Sequence, residues 1–284
     1  MPSRPGSHRA AAFVASIVLL ALAMGGVTAL ASEPLPTLEM AADGEIQISA
    51  DGVVRDYRLQ SQLSPAVAGL LDKRVRAWTF EPVVIDGKPV LARTAMHLSL
   101  RAEPVEGRDS YRITIASVIF GEPRLGAGVR KPRYPEFAVS AHLGARVMLA
   151  LQLDDTGKVT DVLPYQTSLD RRPGSENEAE RWRRMFEQAS VTAARTWHYD
   201  LSEKLNGKTV GARVLVPVEF SLNEPGSRPQ PGAWKAYLPG PVHEIPWMLT
   251  GAIASERLAN LGDGQSLSLD SRFHLKDDVV GKAL

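Results

Sequence analysis

Metal binding and proton transfer would fall first to histidine, and the chain has six: His8, His97, His142, His198, His243 and His274. No two stand within five positions of each other, so no zinc-ligand spacing exists along the sequence. A solvent-facing or hydrogen-bonded structural histidine is the expectation at each. The adjacent carboxylates Asp154 and Asp155 could form an acid–base pair or open a metal loop, but Gly157 follows at once and reads as a hairpin turn. Gly121–Gly128 has the glycines of a phosphate cradle, yet Val129-Arg130-Lys131-Pro132 follows where a cradle needs a helix to begin. No Gly-x-Ser-x-Gly elbow is present to raise a nucleophile. Cysteine is absent, which removes disulfides, Cys-based zinc sites, thiol catalysis and a lipid-modified N-terminal Cys. Arg181, Arg183 and Arg184 form a basic run whose ordinary role is to solvate a helix face, the alternative being a patch for an acidic partner. Lys+Arg 33 against Asp+Glu 32, a formal charge of +1, offers no global field for nucleic acid. The expectation is therefore a protein that is not an enzyme, with no cofactor, no metal and no small-molecule substrate, and with protein binding as its function class.

The elements that would carry a binding surface come in two sets. Gly87-Lys88-Pro89-Val90-Leu91-Ala92-Arg93 and Gly207-Lys208-Thr209-Val210-Gly211-Ala212-Arg213 agree at five of seven positions with a constant offset of 120. The match runs on through Met96, Leu98 and Leu100 against Val216, Val218 and Phe220. Upstream, Trp78-Thr79-Phe80 faces Trp197-His198-Tyr199 at an offset of 119, and Asp51-Gly52-Val53-Val54 faces Thr156-Gly157-Lys158-Val159 at 105. The step of 14 marks an insertion near Asp170–Arg183. Ordered matches of this kind read as a duplicated domain.

Periodicity places the elements. In the second copy Val147, Leu149, Leu151 and Leu153 alternate as a half-buried strand. Asp154-Asp155-Thr156-Gly157 turns the chain, and Lys158–Leu163 returns. Ser175 with Glu178 reads as a capping box opening a helix, whose apolar face carries Trp182, Phe186, Ala189, Ala193 and Trp197. Asn206-Gly207 turns again into a strand with Val214, Val216, Val218, Phe220 and Leu222 inward. In the first copy Ile46 and Ile48 lead to the Asp51-Gly52 turn, and Val53–Leu59 returns. Ser64-Pro65 caps a helix with Val67, Leu71, Val75 and Trp78 on one face, and Asp86-Gly87 turns into a strand with Met96, Leu98 and Leu100 inward. Strand–strand–helix–strand, twice, is an α+β pattern. Trp78 and Trp197 are expected in the cores. Tyr111–Phe120 reads as one more strand, assignable to neither copy.

The flanks complete the organisation. Arg4, His8 and Arg9, then the uncharged Ala10–Leu30, then Ala29-Leu30-Ala31, make a secretory signal peptide over residues 1–31 with cleavage after Ala31 and a periplasmic product. The competing reading is a retained inner-membrane anchor, since the 22 residues Ala10–Ala31 at ~1.5 Å each would just span a bilayer. Residues 32–43 form a short N-terminal segment, 44–121 the first and more degenerate domain, 122–130 a linker and 131–223 the second domain. Residues 224–284 are a Pro/Gly-rich linker and tail, with a modest helix at about Thr250–Leu261. Trp234, Tyr237 and Trp247 imply that the tail packs on something.

Tyr134-Pro135-Glu136-Phe137-Ala138, Gly144-Ala145-Arg146-Val147, the hairpin, the Trp197 helix end and Val216-Pro217-Val218-Glu219-Phe220 together resemble the TonB C-terminal domain family. The resemblance covers Lys131–Asn223 well and Gly44–Glu103 more weakly. It implies two tandem small domains, each a three-stranded antiparallel sheet backed by helices. It also implies a protein or peptide partner, an outer-membrane receptor being one candidate, bound as an added strand at the edge formed by the last strand. Energy-transducing members keep an anchor and a long Pro-rich spacer, whereas Ser32–Asp43 spans at most ~40 Å. An exported binding or adaptor protein is the first expectation, and an anchored energy transducer the second.

An edge strand exposes alternate backbone N–H and C=O groups. With the core-facing parity assigned above, the partner-binding candidates are Arg93, Ala95, His97 and Ser99 in the first copy, and Arg213, Leu215 and Glu219 in the second. Pro217 stands among the latter and lacks an N–H. His97 occupies the matching place in the first copy, so strand addition, or pairing between copies in a homo-oligomer, is expected to be stronger at Leu91–Arg101 than at Ala212–Leu222.

Overall fold

The computed structural model describes residues 35–108, 110–222, 237–248, 258 and 261–284. The segment expected to be a signal peptide, the expected linker through residue 236 and most of the helix expected at Thr250–Leu261 lie outside the described residues. The first half runs β1 (Leu38–Ile48), β2 (Val54–Leu59), α1 (Pro65–Arg76), a hairpin of β3 (Val84–Ile85) and β4 (Lys88–Pro89), β5 (Ala92–Pro104) and β6 (Tyr111–Phe120). The second runs β7 (Arg124–Leu125), α2 (Glu136–Ser140), β8 (Ala145–Leu153), β9 (Val159–Leu169), α3 (Glu176–Ala194), β10 (Tyr199–Asp200), a hairpin of β11 (Lys204–Leu205) and β12 (Lys208–Thr209), and β13 (Arg213–Phe220). A short β14 (Leu267–Ser268) belongs to the tail. The fold is α+β, and the strand pairings are antiparallel.

Local sequence explains the helices. The Ser64 hydroxyl accepts a hydrogen bond from the Val67 N–H, with Pro65 as the first helical residue and Leu71 and Val75 buried. At α3 the Ser175 hydroxyl accepts from the Glu178 N–H at 3.2 Å. The Glu178 carboxylate reaches back to the Gly174 N–H at 2.9 Å, one residue before the position a capping box would use. Strand β9 has 11 residues against 6 in β2, and α3 has 19 against 12 in α1. Those extensions account for most of the 14-residue step between the two sets of motifs.

The second sheet has the order β14-β13-β8-β9, and α3 covers one face. Val147, Leu149, Leu151, Val214, Val216, Val218 and Phe220 form its core with Phe186, Trp197 and Tyr199. The first sheet is wider, β12-β11-β5-β1-β2, with β6 also paired to β5. Strand β1 starts at Leu38, inside the stretch read as a short N-terminal segment, because Leu38–Asp43 continue the ladder against His97–Ala102. The unassigned Tyr111–Phe120 is the antiparallel neighbour of β5. The stretch read as a linker also holds structure: Leu125 pairs with Tyr199, and the Arg130 carbonyl accepts from Trp197 Nε1 at 3.0 Å.

The halves are joined by more than sequence. Strand β11 pairs with the start of β5, Leu205 opposite Ala92, which puts Leu205, 4% exposed, into the first core. Residues Pro36–Leu284 make one compact unit. Strand β8 is not the half-buried strand its alternation suggests. Met148 and Ala150, of the opposite parity, are also buried, because residues beyond 237 lie over that face.

One backbone constraint recurs in both halves. Gly52 at φ +84° accepts the Phe80 N–H at 2.8 Å, and Gly157 at φ +88° accepts the Tyr199 N–H at 2.8 Å. A Cβ at Gly157 would stand 1.9 Å from the Tyr199 carbonyl oxygen, and one at Gly52 2.1 Å from that of Phe80. Glycine is thus required twice over, by its positive φ and by the approach of the chain leaving the helix. Gly157→Ala is expected to cost more than ~1 kcal/mol in chemical denaturation, and Gly52→Ala likewise. Gly69→Ala, in α1 with open space around it, should instead stabilise by about 1 kcal/mol.

Candidate partner-binding site

The residues expected at a first open edge are not at an edge. Arg93, Ala95, His97 and Ser99 pair with Gln47, Glu45, Asp43 and Ala41 of β1. On the other side His97 and Ser99 pair with Ile119 and Ser117 of β6, Arg93 pairs with Lys204 of β11, and the Ala95 carbonyl accepts from the Gly121 N–H at 3.3 Å. Strand β5 is interior because β6 folds back along it and the second half's hairpin fills the remainder. The expectation of stronger strand addition at Leu91–Arg101 is overturned on that geometry. His97 has a local use: its Nδ1 lies 2.7 Å from Asp43 Oδ1, with the Arg124 guanidinium 3.5 Å from the same carboxylate oxygen.

The second set, on β13, keeps its parity. Val214, Val216, Val218 and Phe220 point into the core under α3, while the backbone groups of Arg213, Leu215, Pro217 and Glu219 turn away from β8. Each meets the tail. The Arg213 N–H donates to Asp270 Oδ1 at 2.9 Å, and its carbonyl accepts from the Leu269 N–H at 2.8 Å. Leu215 pairs with Leu267. The Pro217 carbonyl accepts from the Gly264 N–H at 2.9 Å, and the Glu219 N–H donates to Asp263 Oδ1 at 3.0 Å. Pro217 interrupts nothing, since it offers only the carbonyl that Gly264 uses.

The opposite edge of the same sheet, on β9, is strapped too. Leu169 and Leu238 exchange both backbone hydrogen bonds, at 3.0 and 2.7 Å, and the Thr167 and Tyr165 carbonyls accept from the N–H groups of Gly240 and His243. Between its two edge contacts the tail buries Ile245 and packs Trp247, Met248, Leu258 and Leu261 against Met148, Ala150, Leu163, Tyr165 and Leu215. Trp247 Nε1 donates to Asp161 Oδ2 at 2.8 Å, and the Arg213 guanidinium stands 6.0 Å from the ring centre. Arg146 Nη2 donates to the Leu258 and Leu261 carbonyls at 3.0 and 2.6 Å. Sequence reasoning expected the tail to pack on something through its aromatics, but placed no strand at Ser266–Leu269. The period-two run Ser266-Leu267-Ser268-Leu269 was its signal, too short to stand out alone.

Beyond β14 the tail crosses to the first half. The nearly buried Glu203 accepts from the Ser271 hydroxyl at 2.7 Å and from Arg272 Nη1 at 3.1 Å. Phe273 enters the first core, 6.1 Å from Phe80 and 6.2 Å from Phe120 between ring centres. Residues 281–284 then bond to Ile113 and Ile115 of β6.

Two other features find structural uses. Asp154 Oδ1 accepts from the Thr156 hydroxyl at 2.6 Å and from the N–H groups of Thr156 and Lys158 at 2.9 and 3.0 Å, which fixes the hairpin turn. Of the basic run, Arg181 and Arg184 are exposed as a solvated face requires, but Arg183 is buried and its Nη1 holds Glu176 Oε1 at 2.6 Å. The tail passes directly over it: a Cβ on Gly240 would lie 2.7 Å from Arg183 Nε. Among the described residues no helix is long and apolar enough to cross a membrane.

The α+β fold with antiparallel sheets is the fold class that its TonB-like residues implied. Over 92 residues the chain is 33% identical to Protein TonB from each of two strains of Xanthomonas campestris pv. campestris. The match covers 32% of this chain and 35% of each relative, so the chain spans about a third of the length of these curated proteins. No family profile matches the chain, and no solved structure matches it. The similarity supports a distant TonB-like relationship over that third of the chain.

Two outcomes follow from the contacts. Leu267, 2% exposed, should cost about 2–4 kcal/mol when changed to Ala, read from the denaturation midpoint. The Thr156 hydroxyl, followed by the backbone donors, holds the Asp154 carboxyl below its ordinary value. A group so lowered contributes stability above its unfolded pKa and loses it as pH falls through the folded one. Carboxyl-carbon NMR should therefore place the Asp154 midpoint below ~3.9, and Thr156→Val should move it back up.

Proposed function

We propose that the chain is an exported, periplasm-facing protein-binding or adaptor protein related to TonB, built by duplication of one small α+β domain, and that it binds its partner as an extended strand at β13. The observation that carries this reading is the outer edge of β13. Arg213, Leu215, Pro217 and Glu219 turn their backbone groups outward, and a short extended segment already pairs with them. The matched motifs and the matched contacts of Gly52 with Phe80 and Gly157 with Tyr199 support the duplication. Outer-membrane receptors are the partner class that the relationship suggests. The second reading, an inner-membrane-anchored energy transducer, is favoured by the similarity to Protein TonB itself and differs in the fate of residues 1–31.

Fractionation of a Gram-negative host followed by N-terminal sequencing separates the two. The proposed protein is periplasmic and begins at Ser32, whereas a chain retaining Phe13–Leu22 in the inner membrane is the transducer. A cytosolic chain would overturn both. Calorimetric titration of the mature chain with periplasm-facing N-terminal peptides of outer-membrane receptors tests binding. Heat of binding is expected together with loss of amide protection at Gly264 and Leu269 as the partner replaces them on β13, and binding that leaves both protected would remove β13 from the proposal.

A further inference from the structure

The tail strand on β13 is a ligand written into the chain, and it specifies what else would fit there. We propose that Asp263–Asp270 is a built-in competitor for the partner site, and that the partner is an extended segment with two aliphatic side chains two positions apart and a carboxylate at each end. This rests on the reading of β13 as the partner edge.

The contacts define that chemistry piece by piece. Leu267 and Leu269, of one parity, lie on the outer face of the sheet, packed with Met148, Ala150, Leu215 and Ile245. A strand's side chains alternate faces, so only aliphatics separated by one residue reach this surface together. The carboxylates of Asp263 and Asp270 take the N–H groups of Glu219 and Arg213, the two outward donors at the ends of the row. Charge-assisted bonds of this kind are the strong ones. Between them Gly264 and Leu269 donate to the carbonyls of Pro217 and Arg213. Position by position, the pattern is carboxylate, three residues, aliphatic, one residue, aliphatic, carboxylate.

The same contacts show how the site could be vacated without unfolding the protein. Regular pairing is limited to the two residues of β14. Besides Leu267 within it, the apolar anchors lie on either side, with Ile245 before it and Phe273, in the first core, after it. A short strand held between two anchors can open locally while its flanks stay docked. Because it is tethered, it competes at an effective concentration of about millimolar. A free peptide must therefore beat a local competitor, and weakening the tail strand should reveal binding that the wild type masks.

The probe is a synthetic peptide copying Gly262–Arg272, titrated into the full mature chain. In the double variant Leu267→Asn, Leu269→Asn the peptide should bind at least tenfold more tightly than in the wild type, with amide protection gained at Leu215 and Glu219. A peptide carrying Ser at both leucine positions should not bind, and one carrying Asn at both aspartates should bind several-fold more weakly. Equal affinity in variant and wild type, or leucine-free peptides binding as well as the parent, would overturn the proposal. Should the variant fail to fold, amide exchange on the wild type decides: Gly264 and Leu269 must exchange faster than Val214 and Val216, and equal rates set by global unfolding would overturn it. Concentration-dependent dimers of the wild type, with the tail strand exchanged, would replace the external partner by a second copy. Receptor peptides binding elsewhere while the tail peptide fails would sink this inference and leave the periplasmic binding role standing.

Discussion

A sheet edge is a row of backbone N–H and C=O groups without partners, and burying or exposing that row unprotected invites pairing with anything extended. Much of the architecture answers that constraint. Each half lays its last core strand beside a hairpin, β5 on β1–β2 and β13 on β8–β9, which leaves an edge beyond that strand. In the first half β6 and the β11–β12 hairpin close the edge of β5. In the second, residues 264–270 close the edge of β13 and residues 238–243 that of β9. The one equivalent edge is thus met by two different devices, a full ten-residue strand in one half and a two-residue strand in the other. That asymmetry leaves the outer edge of β13 with far less regular backbone pairing than β5 has with β6.

Magnitudes show what holds the strap. A backbone hydrogen bond contributes a net ~1 kcal/mol because water is its alternative partner, so the few bonds along β13 chiefly set register. Burying a Leu, Ile or Phe side chain contributes roughly 1.5–3 kcal/mol. Ile245, Leu267 and Phe273 are each nearly inaccessible, and they supply the larger share. The tail is therefore fastened by its side chains at separate points along its length, and the polar pairing between those points is the weaker link.

The fold was largely legible in the sequence because its signals are local. Alternation in Val147–Leu153 and Val214–Phe220, the spacing of Leu71 and Val75, and the caps at Ser64 and Ser175 each declare an element within a few residues. The parity of Arg213, Leu215, Pro217 and Glu219 followed from the same alternation. What alternation cannot encode is which strand lies beside which. Nothing in Leu91–Arg101 reveals that Tyr111–Phe120 will flank it, and nothing near Arg213 reveals a partner more than fifty residues away at Leu269 and Asp270. Arg183 shows the same limit. As one of three arginines in a run it reads as solvated, yet it is buried where the distant Gly240 crosses over it.

The both-face burial of β8 ties these points together. A strand covered on one side alternates, yet β8 reads Val147-Met148-Leu149-Ala150-Leu151 with every side chain buried. Such continuous apolar runs belong to strands covered on both faces. Met148 and Ala150 were thus the trace, left in the middle of the chain, of a second layer that had to come from somewhere. The helices were already committed to the inner face. Trp247 and the aliphatic residues of the tail were the remaining apolar material without an assigned place. An apolar second face in one segment and unplaced apolar residues in another are complementary requirements, and the third core, where Trp247 and Ile245 meet Met148 and Ala150, is where both are met.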